Sequence, residues 1–154
     1  MLRGVVRSSG RHGVYVHTGG VATIAETTAS ANALDGVYVS SAGALALADA
    51  PGFDRNVLTG NGQHPVTLPA NFVGQLAAGA TYAPNAVERV RVTSDHVERS
   101  ATWRRLGAPY LLAEGFNIQG SAAPRVTVED GAAFYAAAGV RVYVGEGMAG
   151  TFVT

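Results

Sequence analysis

The chain of 154 residues contains neither cysteine nor lysine. The absence of cysteine excludes disulfide bonds, thiolate catalysis and cysteine metal ligands, although it is compatible with any cellular compartment. All basic residues are arginine, and the eleven basic residues are balanced by eleven acidic ones. Because neither sign of charge forms a run, we expect no nucleic acid and no anionic membrane as a partner.

Long apolar runs are also missing. No segment reaches the roughly 18 apolar residues that span a bilayer as a helix, and the first residues, MLRGVVRSSGRHG, include no apolar stretch of signal-peptide length. We therefore expect no membrane insertion and find no export signal in this sequence. A chain of this length buries about 70% of its unfolded surface as one domain, so we predict a single domain over residues 1–154. It is either complete or a fragment of a longer repeat protein.

Helix signals are scarce because glycine totals 20 residues and apolar positions alternate with a period of two. Two alanine-rich windows, NFVGQLAAGA and GAAFYAAAGV, are bracketed by glycine and allow at most a short helical turn. The chain is therefore predicted to be all-β.

One sequence phrase occurs twice in the first third of the chain. GVYVHTGGVATIAE begins at Gly13, and GVYVSSAGALALAD begins at Gly36. Alternating apolar pairs also recur at steps of about 21 to 26 residues along the chain. These pairs are Ala22/Ile24, Leu45/Leu47, Val66/Leu68, Val90/Val92, Phe116/Ile118 and Val140/Val142.

A period in the low twenties predicts a parallel β-solenoid, in which each repeat forms one coil and the coils stack through strand hydrogen bonds. The rival fold, an antiparallel sandwich, would show hairpin turns every 8 to 12 residues or so. About six coils, with strands about 4.8 Å apart, would form a rod on the order of 30 Å long.

The solenoid makes specific register predictions. Val14 and Val16 should stack on Val37 and Val39, and the following turns should match at Thr18 with Ser41 and at Gly20 with Gly43. In the segment RVRVT, residues 89–93, the two valines should point inward and the two arginines outward.

From Ser100 onward the sequence resembles a repeat unit of bacterial right-handed parallel β-helix proteins, which are predicted to be surface or secreted proteins. The matching elements are a tryptophan, a proline-aromatic pair, alternating strands and a Gly-Thr turn. They lie at Trp103, Pro109, Tyr110, Phe116, Ile118, residues 126–128, Gly131, residues 140–144, Gly150 and Thr151. The upstream segment FDRNVLTGNGQHPVTLPANFVGQL is similar to such proteins as well.

Two features depart from this family's pattern. Asp130 stands before Gly131 where the family usually has proline, and the sequence stops at Thr154 after a turn that normally leads into another coil. The resemblance implies a single-stranded right-handed parallel β-helix that is exposed at a cell surface or secreted as part of a longer chain. It implies no particular chemistry.

Two hypotheses of function remain open. The first is a non-enzymatic structural or adhesive module whose partner is another surface protein, a polysaccharide or a second copy stacked end to end. The second is a polysaccharide-binding or polysaccharide-cleaving β-helix with its site at Asp95, Arg99, Trp103, Arg104 and Tyr110. Aromatic rings and arginine forks suit sugar rings, hydroxyls and carboxylates, and paired carboxylates suit glycoside hydrolysis.

These candidate residues also have ordinary structural explanations. Asp95 could bond nearby backbone amides of a turn, while Trp103 and Tyr110 could pack on the flank of the solenoid. The asparagines near turns (Asn56, Asn61, Asn71 and Asn85) are expected to adopt left-handed conformations or to stack as amide ladders. The four histidines have no metal-binding spacing, so we predict no metal and no cofactor.

Overall fold

The structure is a computed structural model that describes residues 2–41, 43–46 and 52–154. Short parallel strands and a 3₁₀ helix at Ala70–Gln75 make up these residues. The strands are β1 (Leu2–Arg7), β2 (Val14–Val16), β3 (Val21–Ala22), β4 (Ile24–Ser30), β5 (Val37–Val39), β6 (Ala44–Leu45), β7 (Val57–Thr59), β8 (Val66–Pro69), β9 (Val90–Thr93), β10 (His96–Val97), β11 (Ala101–Trp103), β12 (Tyr110–Leu112), β13 (Phe116–Ile118), β14 (Arg125–Val128), β15 (Phe134–Ala136), β16 (Val142–Val144) and β17 (Thr151–Val153).

The strands belong to three faces, which follow one another in the same order along the chain, except that the described part of the fourth coil has only the isolated bridge of Thr81 with Val57 in place of a face-A strand. Face A holds the sheets β1-β4-β7 and β11-β14-β17, face B is the six-stranded sheet β2-β5-β8-β9-β12-β15, and face C holds β3-β6 and β10-β13-β16. In the third coil the 3₁₀ helix follows β8, where other coils have a face-C strand. The predicted parallel β-solenoid of about six coils is confirmed.

The doubled phrase stacks as predicted. Val14 pairs with Val37, Tyr15 with Tyr38 and Val16 with Val39 in parallel register. The turns repeat too, because the N–H of Gly20 donates to the His17 carbonyl over 2.8 Å and the N–H of Gly43 donates to the Ser40 carbonyl over 2.9 Å. Stacked coils are expected to form the same hydrogen-bonded turn at equivalent positions, as these two do.

The alternating pairs track the coils, but they do not all lie on one face. Leu68 pairs with Val92 on face B as the period predicts. Val92 then pairs with Leu112, whereas Ile118 lies on face C and pairs with Val144. The alternating apolar pairs lie on different faces, because two-residue alternation is typical of any half-buried strand and does not indicate which face the strand occupies. Leu47 lies outside the described residues.

The core lies inside the coils and is built from the inward members of each strand. Val90 and Val92 are fully buried, and the flanking Arg89 and Arg91 are partly exposed, as the RVRVT pattern predicts. The first alanine-rich window contains the 3₁₀ helix, whereas the second contains strand β15. Inward β-branched and aromatic side chains thus fill a continuous interior across the stack.

A left-handed residue ends the face-A strand in each of the first three coils. Ser8, Ala31 and Gly60 have φ values of 54°, 53° and 66°, and backbone bonds connect these equivalent positions to the coil above. A side chain in this conformation costs roughly 1–2 kcal/mol, which only glycine avoids. The corner therefore carries strain in the first two coils and none in the third.

We expect opposite effects from reciprocal substitutions at this corner. Gly60→Ala should lower the free energy of unfolding by about 1 kcal/mol, because a Cβ at Gly60 meets only ordinary contacts and the backbone conformation carries the whole cost. Ala31→Gly should raise it by up to about 1 kcal/mol. Urea unfolding of both variants measures this, and changes of the same sign would contradict the shared corner geometry.

Candidate functional site

Trp103 and Tyr110 lie in the core of the fifth coil, each with only 1% of its surface exposed. The Trp103 ring centroid is 5.9 Å from that of Tyr110, 5.4 Å from that of Phe116 and 6.0 Å from that of Phe134. Tyr110 is itself stacked on Phe134 at 4.9 Å. This aromatic cluster leaves neither predicted residue an open ring face for a sugar.

The guanidinium of Arg104 forms hydrogen bonds to backbone carbonyls. Its Nη1 donates to the carbonyl of Gly74 over 3.1 Å and to that of Thr102 over 3.3 Å, and its own carbonyl accepts a 2.7 Å bond from the Tyr110 hydroxyl. Arg104 therefore ties the fifth coil to the 3₁₀ helix segment of the third. Trp103, Arg104 and Tyr110 do come together, as one structural unit.

Asp95 and Arg99 lie at the face-C corner of the fourth coil. Asp95 Oδ1 accepts the N–H of His96 over 2.8 Å. Partial burial raises the pKa of the Asp95 carboxyl, while hydrogen bonds from the His96 and Asn71 backbones oppose this shift and the charge of Glu98 adds to it. Arg99 is exposed. Among the described residues, no hydrogen bond or ion pair joins Asp95 or Arg99 to the Trp103 unit.

Of the four predicted asparagines, Asn61 and Asn85 belong to an amide ladder, whereas Asn56 and Asn71 bond backbone groups. Asn32 Nδ2 donates to Asn61 Oδ1 over 2.8 Å, and Asn61 Nδ2 donates to Asn85 Oδ1 over 2.8 Å. Asn32 was absent from the predicted set, although it stands one coil below Asn61. Asn56 also bridges coils, accepting the Thr27 N–H and donating to the Ile24 carbonyl, each over 3.0 Å. These buried amides join successive coils.

A second column of polar groups stands at the entrance to face B. Asp35 is 2% exposed, and its Oδ1 accepts the N–H of His64 over 2.9 Å. Its Oδ2 lies 3.4 Å from His12 Nδ1. His64 Nδ1 in turn lies 2.9 Å from the carbonyl of Arg89 in the next coil. The column therefore extends over four coils, and His12 lies at its end nearest the surface.

That histidine opens onto a groove on the outer side of face B, lined by Arg11, His12, Tyr15 and Tyr38, with a volume of about 470 Å³. We call it the coil-1 groove. Tyr15 and Tyr38 meet edge to face at 5.4 Å, and the His12 ring is 4.6 Å from that of Tyr38. Tyr15 is 52% exposed. The groove is an aromatic surface with an exposed arginine at its rim.

Sequence reasoning missed this groove, although its signal is in the doubled phrase. In GVYV the two valines point inward, so strand alternation turns the tyrosine between them outward. The same phrase one coil later places a second tyrosine beside the first. An aromatic residue at an outward strand position, repeated in consecutive coils, therefore indicates a paired aromatic surface.

The environment of His12 predicts a pH dependence of stability. Burial lowers its pKa below the usual 6.5, nearby Arg11 acts in the same direction, and Asp35 opposes the shift. The unfolded chain therefore binds more protons at His12 than the folded chain does. The resulting stability is complete above the unfolded pKa and is lost as the pH falls below it.

We expect His12→Gln to reduce the loss of stability that accompanies a fall in pH below the unfolded pKa of 6.5. His17→Gln is the matched control, because His17 belongs to the same coil and is exposed. Urea unfolding at several pH values measures both variants. An unchanged slope in His12→Gln would show that His12 is not the titrating group.

Within the described ranges, no group of three or more histidine, aspartate or glutamate side chains is arranged to hold a metal ion. The same residues contain no helix that is long and apolar enough to cross a membrane. The coil-1 groove presents aromatic, imidazole and guanidinium groups.

The parallel strands stacked over about six coils define the chain as a β-solenoid protein. No family model, curated protein or solved structure matches it.

Proposed function

We propose that the chain is a rigid, non-enzymatic β-solenoid module of a bacterial surface or secreted protein, where it acts as a structural or adhesive unit. The observation that supports this most is face B, a parallel sheet that runs through all six coils without interruption. Polar side chains inside the stack, such as Asn61 and Asp35, bond to neighbouring coils. A body braced in this way keeps its shape under load and presents its outer faces at fixed spacing.

The location is tested with an antibody raised against the chain and applied to cells of the source organism. We expect labelling of intact cells, or recovery of the chain from the medium. Labelling only after lysis would overturn the surface assignment. A cytoplasmic protein of known abundance, stained in the same cells, is the control for leakage.

The second proposed function is polysaccharide cleavage with Asp95 as a general acid. It is favoured by the partial burial of Asp95, which raises the pKa of its carboxyl, and by the presence of Glu98 on the same corner, since glycoside hydrolysis uses a pair of carboxyl groups. Release of reducing sugar from a panel of polysaccharides, lost in Asp95→Asn, would support it. Release of no product by the unaltered chain would leave the non-enzymatic module as the better proposal.

End-to-end association of two copies is a separate proposal about partners. Large apolar side chains are exposed on β1 and on the last two strands, β16 and β17, including Val5, Val144 and Phe152. Light scattering over a range of concentrations would detect a dimer, and a constant monomer mass would exclude it.

A further inference from the structure

The coil-1 groove has the shape of a stacking surface for a saturated ring. Three rings cluster in it, because Tyr15 meets Tyr38 edge to face at 5.4 Å and the His12 ring lies 4.6 Å from Tyr38 and 5.7 Å from Tyr15. The steep interplanar angle of 74° between the tyrosines leaves no slot between parallel rings for a flat ligand. The exposed face of Tyr15 suits the C–H face of a pyranose ring.

The polar groups of the groove are available to a ligand. Over residues 2–41, 43–46 and 52–154, the structure gives no hydrogen bond or ion pair to the guanidinium of Arg11 or to the hydroxyls of Tyr15 and Tyr38. The nearby carboxylate, that of Asp35, is buried and already accepts the His64 N–H. Among the described residues, no acidic side chain lines the groove. An exposed guanidinium with no partner is suited to bidentate binding of one carboxylate.

The groove is also held in place before any ligand arrives. Tyr15 and Tyr38 are the central residues of paired strands, and Val16, Val37 and Val39 beside them are buried in the core. The backbone N–H of Asp35 donates to His12 Nδ1 over 3.3 Å and so orients the imidazole ring. A surface that is already ordered loses less entropy on binding, which favours its use as a binding site.

We propose that the coil-1 groove binds a glycan that carries a carboxylate, with a sugar ring on Tyr15 and Tyr38 and the carboxylate on Arg11. A single cation beside aromatic rings matches a uronic-acid sugar better than a polyphosphate, which requires several cations. This binding role goes beyond the proposed structural role and does not involve Asp95 or the Trp103 unit.

The test uses titration calorimetry with two hexasaccharides of similar size. One alternates glucuronic acid with N-acetylglucosamine, and the other is the neutral N-acetylglucosamine hexamer. We expect the full chain to bind the acidic hexasaccharide at least 10-fold more tightly. Arg11→Gln should weaken acidic binding by about 10- to 100-fold and leave neutral binding unchanged, since charged hydrogen bonds contribute about 1.5–3 kcal/mol.

Tyr15→Ala should weaken binding of both hexasaccharides, because the stacking surface serves either one. Arg141→Gln and Tyr143→Ala are the matched controls, being exposed residues of the sixth coil that should leave both affinities unchanged. Circular dichroism confirms that each variant is folded, so a lost affinity is separated from a failed solenoid.

Three results would overturn the proposal. They are no binding of the acidic hexasaccharide by the folded chain, equal affinity for the acidic and neutral forms, and unchanged affinity in Tyr15→Ala. None of them would affect the proposed structural role, which depends on the solenoid and on its location.

Discussion

Asn61→Ala should lower the free energy of unfolding by about 2–4 kcal/mol, because the Asn61 side chain makes four buried hydrogen bonds. Its oxygen accepts the backbone N–H and the side-chain amide of Asn32, and its nitrogen donates to the Ala29 carbonyl and to Asn85. Alanine also leaves the buried N–H of Asn32 without an acceptor. Urea unfolding followed by circular dichroism measures the loss.

The matched control for this substitution is Asn117→Ala. Asn117 is an outward residue of β13 that is only half-buried, and within the described part of the chain its side chain makes no hydrogen bond. We expect a change of no more than about 0.5 kcal/mol there. A loss of similar size in both variants would mean that the ladder contributes nothing specific.

Trp103→Ala should lower the free energy of unfolding by about 3–5 kcal/mol, the usual cost of removing a buried aromatic side chain. The Trp103 ring contacts Tyr110, Phe116 and Phe134, which come from two successive coils, so the cavity would loosen both. Substitution of a surface tryptophan that stacks on sugars would instead change the free energy of unfolding by no more than about 0.5 kcal/mol. The size of the loss therefore separates a core role from a binding role.

Two further variants sharpen this measurement. Trp103→Phe should lose clearly less stability than Trp103→Ala, because it keeps an aromatic ring and removes an indole N–H that has no acceptor among the described residues. Tyr143→Ala removes an aromatic residue that is 39% exposed and should have little effect. Equal losses in Trp103→Phe and Trp103→Ala would contradict the packing account.

The solenoid could be predicted from the sequence because its determinants are local. Strand alternation and a repeated phrase specify both the strands and their stacking, so the pairing of Val14 with Val37 followed directly. The assignment of strands to faces could not be predicted in the same way. Register partners on face B lie 20 residues apart at Val90 and Tyr110 but 29 apart at Val37 and Val66, so no constant period identifies a face.

The candidate site was harder to predict, because exposure depends on neighbouring coils. Trp103 is followed by two arginines, a context that suggests a surface, yet Arg104 extends to the carbonyl of Gly74 while the indole turns inward. Tyr15 lies between two valines, a context that suggests a core strand, yet its ring points outward. The alternation between inward and outward positions decides both cases, and residue type alone does not.

The coils differ in burial, and this difference predicts which coil unfolds first. The strands β5 and β8 are largely buried, whereas every residue of β16 is exposed. In a stack where each coil touches only its neighbours, local unfolding starts where the nearest-neighbour energy is smallest. Amide protons of β16 should therefore exchange with solvent faster than those of β5 and β8, so that the sixth coil frays while the second and third coils stay folded.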